Sequence, residues 1–183
     1  MFKAPSEFLA LAFSGWELKW KGVINNQKGE WWLLSQLLVI SAHLLPTWPS
    51  LNSFGLVWLK IFTIAGTCLF FLGMVLAAKA LLSLGASLSP LPYPKTGAKL
   101  VRESSYKSCR HPLYQALLIS SVGVMVTLGS MLHLFLFIIL CSILIGKAKK
   151  EEHQLKVKHL EYIHYLKKTP AIFQGIPFLD WRT

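Results

Sequence analysis

Acidic residues and cysteines are scarce in this chain of 183 residues, which has 8 Asp and Glu against 19 Lys and Arg and only three cysteines. Cys68, Cys109 and Cys141 are widely spaced and form no CxxC pair, so we predict neither a disulfide framework nor a cysteine metal pair. Internal repeats and low-complexity tracts are also absent from the sequence. The first 22 residues lack the long apolar core and cleavage site of a signal peptide, so we expect them to be retained as an interfacial helix carrying Trp16 and Trp20.

Apolar residues, by contrast, are abundant. They make up 54% of the chain, and the mean hydropathy of +0.49 is too high for an ordinary soluble domain. The formal net charge of +11 lies almost entirely outside the apolar runs. Because each Lys or Arg near a membrane surface attracts anionic head groups by about 1 kcal/mol, we expect the charge to serve contact with membrane lipid, with no nucleic acid as partner.

Four apolar segments approach the length of about 20 residues that a helix needs to cross the hydrocarbon core. They lie at about 31–45, 54–84, 113–128 and 131–147. The last two are separated around Gly129, which favours a tight helical hairpin over the alternative, a single bent helix across both segments. The loops at 46–53 and 128–130 carry no Lys or Arg, whereas the other connections are basic. Since positive residues favour the cytoplasmic side, this pattern predicts four spans with both termini in the cytoplasm.

The tail after the fourth span is polar. Its apolar and aromatic residues recur at helical spacing, at Leu155, His159, Tyr162 and Tyr165. This spacing predicts one helix that continues from the span and ends before Pro170. The predicted fold is therefore all-α, an integral membrane protein with about four transmembrane helices and a cytoplasmic C-terminal helix. We divide it into a cytoplasmic or interfacial segment at 1–30 and a membrane domain at 31–183.

Two polar clusters are candidates for chemistry. In the first, Pro112 suits the first turn of a helix, where free backbone amides favour an anionic group such as a carboxylate. Arg110 and His111 precede it, although such residues also mark a membrane boundary. In the second, Lys147 and Glu151 are four residues apart and share one helix face, although a solvated charge run has the same spacing.

Two histidines in or beside the apolar runs raise a separate possibility. His43 and His133 could ligate haem as a pair of membrane histidines. Both are predicted near the membrane face opposite the basic loop, so haem binding is the less favoured interpretation.

The C-terminal half contains an ordered set of residues between about 85 and 170: Leu100-Val101, Tyr106, Arg110-His111-Pro112-Leu113-Tyr114, Gly123, Glu151-Glu152, Leu155, Tyr162, Tyr165 and Pro170. In order and spacing this set resembles the pattern of the isoprenylcysteine carboxyl methyltransferase family and its phospholipid methyltransferase relatives. Two positions differ, because the family commonly has glycine where this chain has Ser104 and Ala116.

This resemblance implies a membrane-embedded, S-adenosylmethionine-dependent methyltransferase acting on a lipophilic or prenylated acceptor. Its prototype reaction is carboxyl O-methylation of prenylcysteine, with the cofactor held in a pocket at the cytoplasmic face and no dedicated catalytic residue. The implied cofactor contacts are Ala98, Lys99, Leu100, Val101, Tyr106, His111, Pro112, Leu113, Tyr114 and Glu151. Lys147 and Arg110 are expected to bind the substrate, with Lys147 at the position where the prenylcysteine enzymes have a basic residue that orients the substrate carboxylate. A sterol-reductase-like enzyme that uses NADPH and a non-catalytic membrane scaffold remain as alternatives.

Overall fold

The computed structural model describes residues 24–93 and 100–182, and those residues are helical, with no strand beyond one isolated bridge between Ser50 and Ser130. Five α-helices are present in the described chain: α1 Glu30–Ala42, α2 Lys60–Leu84, α3 Pro112–Leu128, α4 Met131–Lys158 and α5 Tyr162–Lys168. Short 3-10 helices lie at Leu51–Phe54, Gly85–Ser87 and Ser104–Lys107. The all-α prediction is confirmed, while the predicted interfacial helix with Trp16 and Trp20 lies outside the described residues.

Two of the described helices, α2 and α4, are long and apolar enough to cross a membrane on their own. They have 25 and 28 residues, whereas α3 has 17 and α1 has 13. At 1.5 Å per residue, α2 is about 37 Å long and exceeds the hydrocarbon thickness of about 30 Å. Its outer surface is apolar, with Phe71 and Leu82 61% and 66% exposed. Such a surface is expected of a helix that faces lipid.

The second predicted span begins later than expected, at Lys60 instead of Phe54. Gly55 adopts a left-handed conformation with φ of 78°, which ends the short 3-10 helix before it. The side chain of Asn52 then accepts a hydrogen bond from the Trp58 backbone N–H at 3.0 Å. This local turn explains why the apolar residues just before Lys60 are not helical.

The predicted hairpin between the last two spans is confirmed. Gly129 ends α3 with φ of 52°, a left-handed conformation that a bent continuous helix would not contain. The adjoining loop meets the loop between α1 and α2, because the Leu51 N–H donates to the Gly129 carbonyl at 2.8 Å and the Met131 N–H donates to the Pro49 carbonyl at 3.1 Å. The two loops without Lys or Arg therefore lie together at one end of the molecule.

Small residues allow close approach between neighbouring helices. A Cβ atom on Gly123 of α3 would lie 2.8 Å from the Gly66 carbonyl oxygen of α2, and one on Gly73 would lie 2.8 Å from the Ala116 carbonyl oxygen. On the other side, a Cβ atom on Gly146 of α4 would lie 2.7 Å from Cζ3 of the Trp32 ring of α1. Small residues at such contacts are typical of helices that associate in membranes.

The predicted continuous C-terminal helix is wrong, because it breaks into α4 and α5. His159 adopts an extended conformation, with φ of −132° and ψ of 100°, and α5 begins at Tyr162. This break lets Tyr162 and Tyr165 pack with Leu166 in a buried cluster against Leu155 of α4. The physical reason is burial: the aromatic face turns back onto the protein instead of continuing along the α4 axis.

Candidate functional site

A cavity of about 210 Å³ lies at the polar end of the molecule, opposite the two uncharged loops. Its walls come from α1, the C-terminal end of α2, the segment that leads into α3, the first turn of α3, the second half of α4, and α5. Apolar side chains form much of the lining: Leu33, Leu81, Leu84, Leu88, Leu100, Val101, Leu113 and Leu155. Charged and hydrogen-bonding side chains converge on the same space, which makes it the candidate binding site.

The start of α3 is held in place by the C-terminal segment. The backbone N–H groups of Arg110 and His111 donate to the carbonyl oxygens of Pro170 and Ala171 at 2.9 and 3.0 Å. Pro112 then occupies the first turn of α3, where its missing N–H costs no helical hydrogen bond. These contacts fix the direction in which the Arg110 and His111 side chains leave the backbone.

Glu152 is the acceptor at the centre of a buried polar network. Its Oε1 accepts hydrogen bonds from Arg110 Nε at 2.8 Å and from His111 Nε2 at 2.9 Å. Its Oε2 accepts from Trp181 Nε1 at 2.8 Å. Arg110 Nη1 donates to the backbone carbonyls of Leu166, at 2.8 Å, and of Thr169. Arg110 Nη2 donates to the backbone carbonyl of Trp181. Arg110 and His111 are therefore buried structural donors in this structure, and not exposed markers of a membrane boundary.

Glu151, one residue earlier on α4, belongs to the cavity. The Tyr114 hydroxyl donates to Glu151 Oε2 at 3.1 Å, and the His111 ring stacks on the Tyr114 ring with centroids 5.2 Å apart. The Lys147 ammonium lies 5.5 Å from the centre of the Tyr114 ring and donates to Gln36 Oε1 of α1 at 2.7 Å. The four-residue spacing from Lys147 to Glu151 puts both on the cavity side of α4.

Tyr106 lines the cavity, and Cys109 follows it by three residues in the chain. Both side chains keep their protons at neutral pH. Burial, with the Glu151 carboxylate as a second cause, raises the pKa of the Tyr106 hydroxyl well above its usual range. Burial also raises the pKa of the Cys109 thiol to about 11. Tyr106 can therefore donate a hydrogen bond, whereas Cys109 is a poor nucleophile because it lacks thiolate character.

Most of the residues predicted from sequence surround this one cavity. The lining includes nine of them: Leu100, Val101, Tyr106, Arg110, His111, Leu113, Tyr114, Lys147 and Glu151. Pro112 shapes the start of α3 but does not line the cavity, and Ala98 and Lys99 lie outside the described residues. Their roles in binding cofactor or substrate stay predictions.

Sequence reasoning did not assign a role to three further residues. Glu152 belongs to the acidic pair with Glu151. Its hydrogen bond with Arg110 shows that its side chain faces the start of α3. Gln36 is one amide in an apolar run, and Trp181 is an aromatic residue near the C-terminus, so neither carried a recognisable signal. Both were missed because their partners, Lys147 and Glu152, are distant in sequence.

The structure shows the surroundings of Ser104 and Ala116, the two positions where the family commonly has glycine. Ser104 has φ of 54°, a left-handed conformation that glycine adopts without steric cost, which explains the preference for glycine at this position. Ala116 is fully buried on α3, where its carbonyl oxygen faces Gly73 of α2. At Ala116, the close approach of α2 and α3 is made possible by Gly73 of α2.

Of the two histidines, His43 has hydrogen-bond partners at both ring nitrogens. His43 Nδ1 donates to the Val39 carbonyl at 2.8 Å, and its Nε2 accepts from the Ser121 hydroxyl at 2.6 Å. The His133 ring lies 6.0 Å away at 74° to the His43 ring. Both nitrogens of His43 are thus occupied, and this geometry does not favour haem ligation. Within the described residues, no three His, Cys, Asp or Glu side chains group as a metal site.

The matching family model and a curated relative are both of methyltransferases. The family model for phospholipid methyltransferases matches residues 61–160. Protein-S-isoprenylcysteine O-methyltransferase B of Arabidopsis thaliana is 30% identical over 127 residues, which make up 67% of this chain and 61% of that protein. This chain therefore spans about three fifths of the length of that curated relative.

A solved structure has a similar fold. The eukaryotic intramembrane Ras methyltransferase, an isoprenylcysteine carboxyl methyltransferase, matches with a TM-score of 0.57 and 17% identity over 98% of this chain and 55% of that one. The long apolar helices and this likeness define an integral membrane protein with a polar cavity at one end. Because the family model covers more than half of its residues, the chain belongs to the phospholipid methyltransferase family.

Proposed function

We propose that this protein is a membrane-embedded, S-adenosylmethionine-dependent methyltransferase that acts on a lipophilic acceptor, with carboxyl O-methylation of a prenylated cysteine as the prototype. The observation that carries the proposal is the convergence of α3 and α4 residues on one cavity with an apolar lining and a carboxylate. Family membership supports a methyltransferase over the reductase and scaffold alternatives.

The residues present fit the proposed cofactor. Glu151 is 31% exposed and faces the cavity, so its carboxylate can balance a positive ligand. The aromatic rings of Tyr106 and Tyr114 and the apolar side chains of Leu100 and Val101 offer surfaces for a purine base. S-adenosylmethionine combines these properties, since it has a cationic sulfur, a cationic amine and an adenine ring.

The proposed reaction requires alignment more than a protein nucleophile. When bound, S-adenosylmethionine supplies a methyl group whose bond to sulfur breaks as the acceptor oxygen forms its new bond, which leaves S-adenosylhomocysteine. The protein contributes by holding two reactants in line at close range, a source of large rate enhancement. Glu151 orients the positive end of the cofactor, and the protonated Tyr106 can donate a hydrogen bond without accepting the methyl group.

The acceptor side of the cavity has a different chemistry. Leu33 of α1 and Leu81 and Leu84 of α2 supply apolar lining that suits a hydrocarbon chain. The Lys147 ammonium lies among these walls and suits the acceptor carboxylate. Arg110, by contrast, has a positioning role in this proposal, because its donors bind Glu152 and backbone carbonyls.

We also propose that the cavity opens toward the cytoplasm. The cavity lies near the basic segments at 100–110 and 147–158, and the two loops without Lys or Arg are joined at the opposite end. Positive residues in short loops favour the cytoplasmic side, which supports cytoplasmic termini and site.

The direct test is ligand-dependent stability of the purified protein in detergent. Saturable binding of S-adenosylmethionine or S-adenosylhomocysteine should raise the free energy of unfolding by about 2.7 kcal/mol at a hundredfold excess over the dissociation constant. Glu151→Gln should lose most of this shift. The matched control Glu161→Gln, at an exposed ion pair with Arg102, should retain it.

Two outcomes would contradict the proposed function, and a third would contradict the role of Glu151. Stabilisation by NADPH and not by S-adenosylmethionine would favour the reductase. An absence of any shift in well-folded protein would favour the scaffold. Equal shifts in Glu151→Gln and the unsubstituted protein would remove Glu151 from the cofactor site.

A further inference from the structure

Lys147 is a buried cation whose recorded hydrogen-bond partner is uncharged. The residue is 3% exposed, and its Nζ donates to Gln36 Oε1 at 2.7 Å. Among the residues that the structure describes, none of the ion pairs includes Lys147. The carboxylate one turn away, that of Glu151, accepts a hydrogen bond from Tyr114. A buried ammonium without a direct ion pair is costly, so the cavity beside it should favour an anionic occupant.

The orientation of the Gln36 amide follows from its partner. An ammonium group has only donors, so the atom of Gln36 that faces Lys147 must be the amide oxygen. The amide nitrogen of Gln36, bonded to the same carbon as that oxygen, therefore does not bind Lys147. Gln36 lines the same cavity as Lys147, and no acceptor for its Nε2 is recorded among the described residues. Two residues with donors of different kinds, an ammonium and an amide N–H, thus line the same cavity.

We propose that Gln36 and Lys147 together bind the carboxylate of the acceptor, with one oxygen taking a hydrogen bond from Lys147 Nζ and the other from Gln36 Nε2. This inference rests on the proposed function and names a specificity-determining residue for it. Lys147 alone is a point charge and cannot make the two parallel hydrogen bonds of an arginine. The Gln36 amide supplies the second bond, and with it the preference for a planar, two-oxygen group.

The position of Gln36 comes from packing between α1 and α4. Trp32, one turn before Gln36, lies against Gly146, the residue before Lys147, where a Cβ atom would be 2.7 Å from Cζ3 of the indole ring. This contact brings the two helices close enough for the Gln36 and Lys147 side chains to meet. Helix α1 precedes residue 61, so Gln36 lies outside the segment that matches the family model.

The experiment compares a lipophilic carboxylate with its neutral amide. N-acetyl-S-farnesylcysteine and the corresponding carboxamide would be titrated into the purified full chain by calorimetry, with S-adenosylhomocysteine present. We expect the unsubstituted protein to bind the carboxylate at least about tenfold more tightly than the amide, since hydrogen bonds to charged groups are the stronger ones.

Three variants separate recognition from structure. Gln36→Leu should weaken carboxylate binding about tenfold and leave carboxamide and S-adenosylhomocysteine binding unchanged. Gln36→Glu should weaken carboxylate binding further, because the new carboxylate pairs with Lys147 and repels the ligand. The matched control Gln27→Leu, at an exposed glutamine just before α1, should behave as the unsubstituted protein.

The outcomes distinguish this inference from the proposed function. Equal losses for carboxylate and carboxamide in Gln36→Leu, or a parallel loss of S-adenosylhomocysteine binding, would mean that Gln36 has only a structural role. If the unsubstituted protein binds S-adenosylhomocysteine but does not prefer the carboxylate, joint binding of the carboxylate by Gln36 and Lys147 is refuted and the proposed function is not. Failure to bind S-adenosylhomocysteine at all would refute the proposed function, and with it the joint binding of the carboxylate by Gln36 and Lys147.

Discussion

Substitution of Glu152 by glutamine removes the charge at the centre of the buried polar network and keeps its shape. The side chains of Glu152 and Arg110 are 4% and 0% exposed, with Oε1 and Nε 2.8 Å apart. The variant leaves the Arg110 guanidinium buried without its counter-ion, a change that costs about 3–5 kcal/mol in comparable pairs. Because a glutamine oxygen in the place of Oε1 can still accept the hydrogen bonds of Arg110 and His111, we expect the free energy of unfolding to fall by about 3 kcal/mol, at the lower end of that range.

The same chemical change at an exposed ion pair is the control. Glu161 and Arg102 lie 3.0 Å apart, but their side chains are 55% and 44% exposed. Exposed pairs of this kind contribute about 0–1 kcal/mol, so Glu161→Gln should have little effect. Both variants would be unfolded by denaturant in detergent micelles and followed by tryptophan fluorescence. Trp181, which donates to Glu152 Oε2 at 2.8 Å, is one of the seven tryptophans that contribute to this signal.

The comparison can refute the reasoning. If Glu152→Gln and Glu161→Gln lower the free energy of unfolding by the same amount, the buried network does not stabilise this end of the molecule. The assigned role of Arg110, which is to hold the start of α3 against the C-terminal segment, would then also be wrong.

Two further predictions concern the backbone. Gly123→Ala should lower the free energy of unfolding by about 1–3 kcal/mol, because its methyl group would lie 2.8 Å from the Gly66 carbonyl oxygen and force α2 and α3 apart; unchanged stability in thermal unfolding would contradict this contact. Ser104→Gly should be tolerated, whereas Ser104→Val should cost about 1–2 kcal/mol, because the residue has φ of 54°; equal stability of the two variants would argue against the left-handed conformation.

The helices could be predicted from sequence because their signals are local. Apolar runs of sufficient length identify α2 and α4, and Gly129 identifies the hairpin that joins α3 and α4. The hairpin brings the start of α3 to the same end as the second half of α4, and the family resemblance assigned His111 and Glu151 to one cofactor site. The structure places them at the same cavity, with His111 Nδ1 and Glu151 Oε2 3.8 Å apart.

The remaining features depend on contacts that local patterns do not encode. The periodicity from Leu155 to Tyr165 is that of one helix, but burial of the tyrosines against the protein outweighs it and breaks the helix at His159. Gln36 resembles any polar residue in an apolar run until α1 packs on α4. Trp181 likewise gains its partner, Glu152, only after the C-terminal segment folds back.

Transfer of a labelled methyl group tests the central proposal most directly. The purified protein in lipid vesicles would be incubated with methyl-labelled S-adenosylmethionine and N-acetyl-S-farnesylcysteine, and the product treated with base. A carboxyl methyl ester releases its label as volatile methanol under base, whereas a methylated amine or thiol retains it. We predict base-labile label in the product with unsubstituted protein and with Glu161→Gln, and a large loss with Glu151→Gln. Saturable binding of S-adenosylmethionine without any labelled product would contradict carboxyl methylation of this acceptor class, and base-stable label would assign a different acceptor atom.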